Sequence, residues 1–300
     1  MKAPLSITYF DRRSGDFLEE PIYASSFLNW SYNTRSGRWA TDLLFRQQVA
    51  SRLYGWLHGQ SWSKRKIKPF AAALGVRLDE CLRSVDDFAS FNDFFTREID
   101  LSKRPIDSDE RVCIAPADGK LLAFPKVDGG RTFQIKRSPF TLPHLLGNET
   151  LAKIFAGGSL VILRLHLSDY HHFHFPDSGI PGNPCAISGK LYAVSPYSRH
   201  KPVPFYTENY RMLTLFASDH FGLVALLEIG AFTVGSIQQR YRPTARVAKG
   251  DKKGFFELGG STIVLLFEPG AIQLDHDLCD KTEEGFETHV RLGESIGHMS

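Results

Sequence analysis

The sequence predicts an α+β chain, with a helical N-terminal region on a mainly antiparallel β domain. Three observations predict it. Between Thr41 and His58 the apolar positions Leu43, Leu44, Val49, Leu53, Tyr54, Trp56 and Leu57 recur at roughly helical spacing. After Pro105 the pattern changes to short apolar runs, among them VCIAPADGKLLAF, SLVILRLHL, KLYAV, MLTLFAS, GLVALLEIG and STIVLLF, parted by turn signals such as PADG, FPDSG and EPGA. No long helical pattern separates these runs, which argues against a doubly wound parallel sheet. The division falls at residues 1–104 and 105–300.

Each N-terminal element has a local reason. Residues 1–36 are polar and irregular, an extended arm with short strands. Thr41 or Asp42 can cap the first helix and Gly59 can end it. The basic run KRKIK (Lys64 to Lys68) follows, then a second helix through Phe70–Leu74. In SVDDFASFNDFFTREID, Ser84 and Ser90 each precede an Asp by three residues, an Asp form of the capping box. Phe88, Phe91, Phe94 and Phe95 fall on one helical face and read as core.

The net charge of +3 is too small to argue for nucleic acid. Its distribution says more. Residues 1–70 hold 11 Lys/Arg against 5 Asp/Glu, and they carry all four tryptophans, Trp30, Trp39, Trp56 and Trp62. Basic side chains beside indoles suit an anionic lipid surface, and equally suit a solvated face over core tryptophans. The apolar runs are far too short to span a bilayer, so the expected membrane contact is peripheral. The N-terminus lacks the apolar core of a signal peptide. Cys81, Cys113, Cys185 and Cys279 are widely spaced, which fits free thiols better than a disulfide framework or a zinc site.

Three stretches can carry chemistry. In APADG, Asp118 sits in a tight turn between apolar strands, a common structural arrangement as well as a possible acid. In LRLHLSDYHHFHFPDSG, His166, His171, His172 and His174 cluster within nine residues. That density suggests proton transfer more than a metal site, because sequence offers no further ligand. A turn at Ser168–Asp169 would break the alternation of these side chains. In LGGST, Gly259 and Gly260 precede Ser261 at the head of an apolar strand, which suggests a close backbone approach. Asp118, His174 and Ser261 together have the composition of an acid–imidazole–hydroxyl set. The G-x-S-x-G elbow is absent. Gly158-Ser159 and Gly235-Ser236 compete with LGGST on composition alone.

Taken in order, FNDFFTREID, PADG, DYHHFHFP, VGSI and LGGST resemble the phosphatidylserine decarboxylase family across about residues 85 to 270. The resemblance implies a self-cleaving proenzyme that uses a pyruvoyl cofactor (covalent pyruvate). Asp118 corresponds to the charge-relay acid, His174 to the relay base, and Ser261 to the nucleophile that becomes the pyruvoyl group. His171, after Tyr170, matches a histidine of the decarboxylation step. His172 stands where the family often has Arg and carries no implied role, and Gly260 is a tolerated variant. Cleavage between Gly260 and Ser261 would yield a large chain, 1–260, and a small chain, 261–300, held as a heterodimer that can oligomerise further. The implied reaction condenses the amine of phosphatidylserine with the pyruvoyl ketone as a Schiff base and releases phosphatidylethanolamine. A protonated His171 would return the proton. The implied location is the cytoplasmic face of the cell membrane, peripherally bound, with no metal and no nucleic acid. The alternatives are a serine hydrolase using Asp118, His174 and Ser261 without cleavage, and a carrier module built on the hairpin VAKGDKKG (247–254).

Overall fold

The computed structural model describes residues 6–20, 34–35, 37, 55–127, 133–135, 138–189, 205–230, 237–258 and 261–300. Among these residues the chain is α+β with mainly antiparallel sheets. A ten-stranded sheet runs in the order Cys185–Ile187, Arg211–Ser218, Leu223–Gly230, Ser261–Phe267, Leu160–Leu165, Gly119–Phe124, Thr288–Val290, Ile7–Asp11, Asp16–Glu20, and Gly179–Pro181 pairs with Arg211–Ser218 off this path. Every pairing in it is antiparallel except Ile7–Asp11 against Thr288–Val290. The N-terminal hairpin Ile7–Asp11/Asp16–Glu20 thus adds two strands to a sheet made otherwise by the C-terminal two-thirds.

The strand Ser261–Phe267 is buried along its whole length, because core lies on both faces of the sheet. Alternation divides its side chains. Ile263, Leu265 and Phe267 join one apolar cluster, and Val264 and Leu266 join another. The first cluster is closed by two three-stranded sheets, one of Ile237–Gln239, Lys252–Phe256 and His172–His174, the other of Ile272–Leu274, Ser295–Met299 and Val112–Ile114. The second is closed by the helices Leu142–Leu146 and Glu149–Phe155.

A third cluster belongs to the N-terminal helices. Ile67, Phe70 and Leu74 from the helix Ile67–Leu74 pack on Phe88, Phe91, Phe94 and Phe95, as the phenylalanine spacing predicts. Gly75 ends that helix at φ 64°, a left-handed cap that glycine adopts without strain. Ser90 caps Phe91–Phe95 by accepting from the Asp93 N–H, whereas Ser84 makes no such bond. Leu258, three residues before Ser261, is buried in this same cluster, and its N–H donates to Asn92 Oδ1. The helical module therefore grips the segment that leads to Ser261.

The helix expected over Thr41–His58 lies outside the described residues except for 55–58, which are helical, and the strand KLYAV lies wholly outside them. No described helix is long and apolar enough to cross a membrane. The helices Leu142–Leu146, Glu149–Phe155 and His276–Glu283 went unforeseen. The last buries only Leu278 and carries no apolar stripe to announce it.

Gly119 shows how tightly the sheet is closed beside Asp118. A Cβ there would meet the Arg164 carbonyl oxygen at 2.8 Å and Leu163 Cδ1 at 2.9 Å. Gly119→Ala is expected to destabilise the protein by about 1–3 kcal/mol, read from the urea unfolding midpoint.

Candidate active site

Ser261 is the first residue of its strand and is held on both sides, by Gly230 in one neighbour and Leu165 in the other. It is wholly buried, and its Oγ has no hydrogen-bond partner among the described residues. The two competing serines differ in this respect or cannot be compared. Ser159 Oγ donates to the Pro125 carbonyl, and Ser236 lies outside the described residues.

From Leu165 the chain turns at Leu167–Asp169 and re-enters extended structure at His172–His174. That turn breaks the alternation through the histidine run, as its Ser-Asp pair suggests. Asp169 organises it. Its Oδ2 accepts from the His166 N–H at 2.8 Å, and both its oxygens accept from Lys120 Nζ at 3.1–3.2 Å. Burial works to raise the Asp169 carboxyl, but Lys120 and the nearby imidazoles hold it far below the usual carboxylate range. Arg97 Nη2 ties down the same turn by donating to the Ser168 and Asp169 carbonyls at 2.6 and 3.2 Å.

The strand His172–His174 pairs with Lys252–Phe256, and the Phe256 N–H donates to the His171 carbonyl. In sequence, Ser261 follows the end of that strand at Phe256 by five residues. The His171 carbonyl is thus tied to Phe256, near Ser261 in sequence, while His174 pairs with Lys252 at the other end of the same strand. No hydrogen bond joins the Ser261 hydroxyl to either imidazole.

Both imidazoles are fixed the same way. His171 Nδ1 lies 2.9 Å from the Asp169 carbonyl oxygen, and His174 Nδ1 lies 2.8 Å from the Gly250 carbonyl oxygen. A carbonyl only accepts, so each Nδ1 carries the proton. Each Nε2 then keeps its lone pair, and each is buried without a partner among the described residues. Burial pushes His171 down to about 3, with the Arg97 charge adding to the effect, and burial also lowers His174. His171 is therefore neutral at neutral pH, so the protonated form that would return a proton has to be generated first.

Asp118 lies within electrostatic reach of His174 but does not hydrogen-bond to it. Its carboxylate is occupied by Arg104 Nε at 2.9 Å, Arg104 Nη2 at 2.7 Å and the Leu292 N–H at 2.9 Å. Arg104 also binds Glu80 at 2.9 Å, so one buried guanidinium joins two carboxylates. The direct orienting bond expected from Asp118 to His174 is replaced here by the Gly250 carbonyl.

The remaining candidates have structural partners. His172 Nε2 binds the Thr96 carbonyl, and its ring stacks on Tyr170 with centroids 4.8 Å apart. In the hairpin VAKGDKKG, Lys249 Nζ donates to the Asp109 and Val112 carbonyls, Lys252 pairs with Glu98, and Lys253 is buried against Glu228. None of these lysines is presented as a carrier attachment point would be. A second Ser/His/Asp grouping fails on geometry, because Ser218 Oγ donates to Asp177 rather than to His220.

Buried polar atoms without partners each cost about 1–3 kcal/mol, so folded chains keep few of them. Here they gather on Ser261, Thr262, His171, His172 and His174, with others on Arg97, Thr288, Arg291 and Ser295.

The family model described as phosphatidylserine decarboxylase matches residues 91–298, more than two-thirds of the chain. The chain belongs to the phosphatidylserine decarboxylase family. It is 40% identical over 291 residues to a protein named phosphatidylserine decarboxylase proenzyme from Chlamydia felis, covering 97% of each chain. It is 41% identical over 289 residues to that of Chlamydia pneumoniae, covering 96% of each. With the Clostridium beijerinckii proenzyme it shares 39% over 291 residues, covering 97% of this chain and 98% of the other. The family match begins at Phe91, at the start of the phenylalanine helix, and so takes in Arg97, Arg104 and the whole of the site described above.

Sequence reasoning missed Arg97, Arg104, Lys120, Asp169 and Gly250. Arg97 and Asp169 lie inside motifs that were singled out, but their roles depend on contacts with distant segments. Gly250 acts through a backbone carbonyl, which its residue type does not reveal.

The four depressed or buried histidines make stability pH-dependent. Burial brings His172 down to about 4 and also lowers His166. Below the ordinary imidazole range the unfolded chain binds protons that the folded chain refuses, so stability falls as pH drops from about 6.5 to about 5. Ordinary carboxylates titrate nearer 4, so the histidines dominate this window. Unfolding midpoints measured from pH 7 to pH 5 are expected to fall, and His172→Gln is expected to flatten the slope by up to about 1.4 kcal/mol per pH unit.

Proposed function

We propose that this chain is a self-processing decarboxylase acting on phosphatidylserine, with Ser261 converted to a pyruvoyl group. The observation that carries the reading is a set of three buried atoms without partners among the described residues: the Ser261 hydroxyl and the Nε2 atoms of His171 and His174. These residues fit the group. Its carbon skeleton is that of Ser261 itself, the site is enclosed, and proton acceptors are already in place.

Processing uses the chain's own atoms. His174 Nε2 takes the Ser261 hydroxyl proton, with the Gly250 carbonyl holding the ring and the Asp118 charge stabilising the imidazolium from a distance. The serine oxygen attacks the Gly260 carbonyl carbon, so that an ester bond replaces the amide bond. Loss of the Ser261 α-proton then breaks the ester C–O bond, leaving residues 1–260 with a C-terminal carboxylate. Water adds to the dehydrated residue at position 261, and its nitrogen departs as ammonia.

When present, a pyruvoyl group supplies the electron-withdrawing carbonyl that lets the substrate's amino acid part lose CO₂. Around it, His171 must gain a proton at Nε2 before it can return one to carbon. Burial makes that imidazolium a strong acid, so it gives the proton up readily.

Exposed Trp56 and Trp62, beside exposed Lys64, Arg65 and Lys66, supply a surface for peripheral binding to an anionic membrane, which we place at the cytoplasmic face. Cosedimentation with anionic vesicles is expected to exceed that with zwitterionic ones. Replacing Lys64 and Arg65 by Ala is expected to weaken it about thirtyfold; equal binding to both vesicle types would remove the membrane reading.

Intact-mass measurement tests the chemistry. Wild-type protein is expected as chains 1–260 and 261–300, the smaller with a blocked N-terminus, while Ser261→Ala and His174→Ala stay whole. His171→Ala is expected to cleave yet lose at least about a hundredfold in CO₂ release. A single intact chain with hydrolase activity would overturn the proposal.

A further inference from the structure

Beside the candidate active site lies a cavity of about 320 Å³. Asp118, Asp169 and Tyr170 form part of its wall, so it shares residues with the site, but Ser261, His171 and His174 do not line it. Five cationic side chains do: Arg77, Arg97, Arg104, Lys120 and Arg291. The carboxylates facing them are Glu80, Asp118 and Asp169.

Each of those carboxylates is already engaged. Glu80 is shared by Arg77 and Arg104, Asp118 is held by Arg104, and Asp169 is held by Lys120. Arg97 and Arg291 form no ion pair among the described residues. Arg97 is 4% exposed, and its Nε and Nη1 have no hydrogen-bond partner; the nearby Cys81 sulfur is a poor acceptor. Arg291 Nε is likewise buried and unpartnered. Burial lowers the affinity of both guanidinium groups for their protons, and Arg291 also faces the charges of Arg77, Arg104 and Arg13. Asp169, Asp118 and Glu80 offset part of this for Arg97, and Asp118 for Arg291, but neither guanidinium has a carboxylate in direct contact among the described residues, and an anion in the cavity would reduce the remaining cost.

We infer that this cavity is a binding site for a phosphate-type oxyanion, held by Arg97 and Arg291. The donors come from separate elements: Arg97 follows the helix Phe91–Phe95, and Arg291 follows the strand Thr288–Val290. Two guanidinium groups from separate elements lining one cavity suit an anion with several oxygens, such as a phosphate. With Arg164 and its partners Glu20 and Glu287 included, because Glu20 also pairs with Lys120, six cations face five carboxylates and leave one positive charge, which a phosphate-type anion balances. The anion has two possible sources, the phosphodiester of a phospholipid substrate or soluble inorganic phosphate. The first rests on the decarboxylase reading, and the second does not.

The test uses full-length Ser261→Ala protein, which is expected to stay in one piece. Inorganic phosphate and glycerophosphoserine are titrated calorimetrically, with chloride at matched ionic strength as the control. Both are expected to bind, and Arg291→Gln is expected to weaken both by at least about tenfold. Arg291 has no side-chain partner to lose, so this variant keeps the fold. Arg97→Gln is the second variant, its folding checked by thermal melt. Processed enzyme then separates the sources. A higher KM for phosphatidylserine in Arg291→Gln with kcat unchanged identifies the lipid phosphodiester, whereas an unchanged KM alongside weakened phosphate binding identifies the soluble anion. Binding no stronger than chloride, or Arg291→Gln binding as wild type does, overturns the site. Failure of the decarboxylase reading would register separately, as absence of CO₂ release from phosphatidylserine by wild-type protein.

Discussion

A strand hydrogen-bonded along both edges cannot slide. Ser261–Phe267 makes seven register pairs with Leu223–Gly230 and six with Leu160–Leu165. A shift by one residue would exchange the side chains sent to the two apolar clusters and bury the wrong set on each face. This double constraint fixes the Ser261 hydroxyl in a place where none of the described residues satisfies it. The energy that keeps an unpartnered hydroxyl buried comes from the Val, Ile, Leu and Phe side chains that follow it.

The histidine turn is built on the same logic with opposite signs. Lys120, Arg97 and Asp169 surround the turn with fixed charge, yet burial favours the neutral form of its imidazoles, and His171 and His174 are anchored through Nδ1 to carbonyls. Neutral rings with defined tautomers can accept protons without any rearrangement. Charge is kept one layer away, where it sets the field instead of taking part in bonds. Asp118 belongs to that outer layer in this arrangement, because Arg104 and the Leu292 N–H claim its oxygens. The N-terminal hairpin reaches the same layer through Glu20, which pairs with Arg164 and Lys120.

Much of this was legible before any coordinates. The long apolar runs announced the central strands, because seven buried residues leave a mark in composition. The phenylalanine spacing announced the helical cluster, and the Gly-Gly-Ser and His-His-Phe-His stretches announced the reactive groups. What stayed hidden had a common cause. Strands of three residues, such as His172–His174 and Thr288–Val290, are too short to show a period. The partners of Asp118 lie 14 residues before it and 174 after it, and local pattern carries no information about such contacts. The carbonyls of Gly250 and Asp169 act through the main chain, where side-chain identity is silent. Leu258 reads as one more apolar residue, and only its burial among Phe70, Phe91 and Phe94 shows that the helical module reaches the segment next to Ser261.

The position of Ser261 at the very head of its strand has a mechanical result. A break in the backbone just before it would leave a fragment that still supplies the middle of the large sheet, the Thr288–Val290 strand beside Gly119–Phe124, and two of the three strands in a smaller sheet. Neither piece could bury its apolar surface without the other. The two polypeptides would melt as one cooperative body, and scission would free a new chain end at the centre of the molecule without loosening what surrounds it.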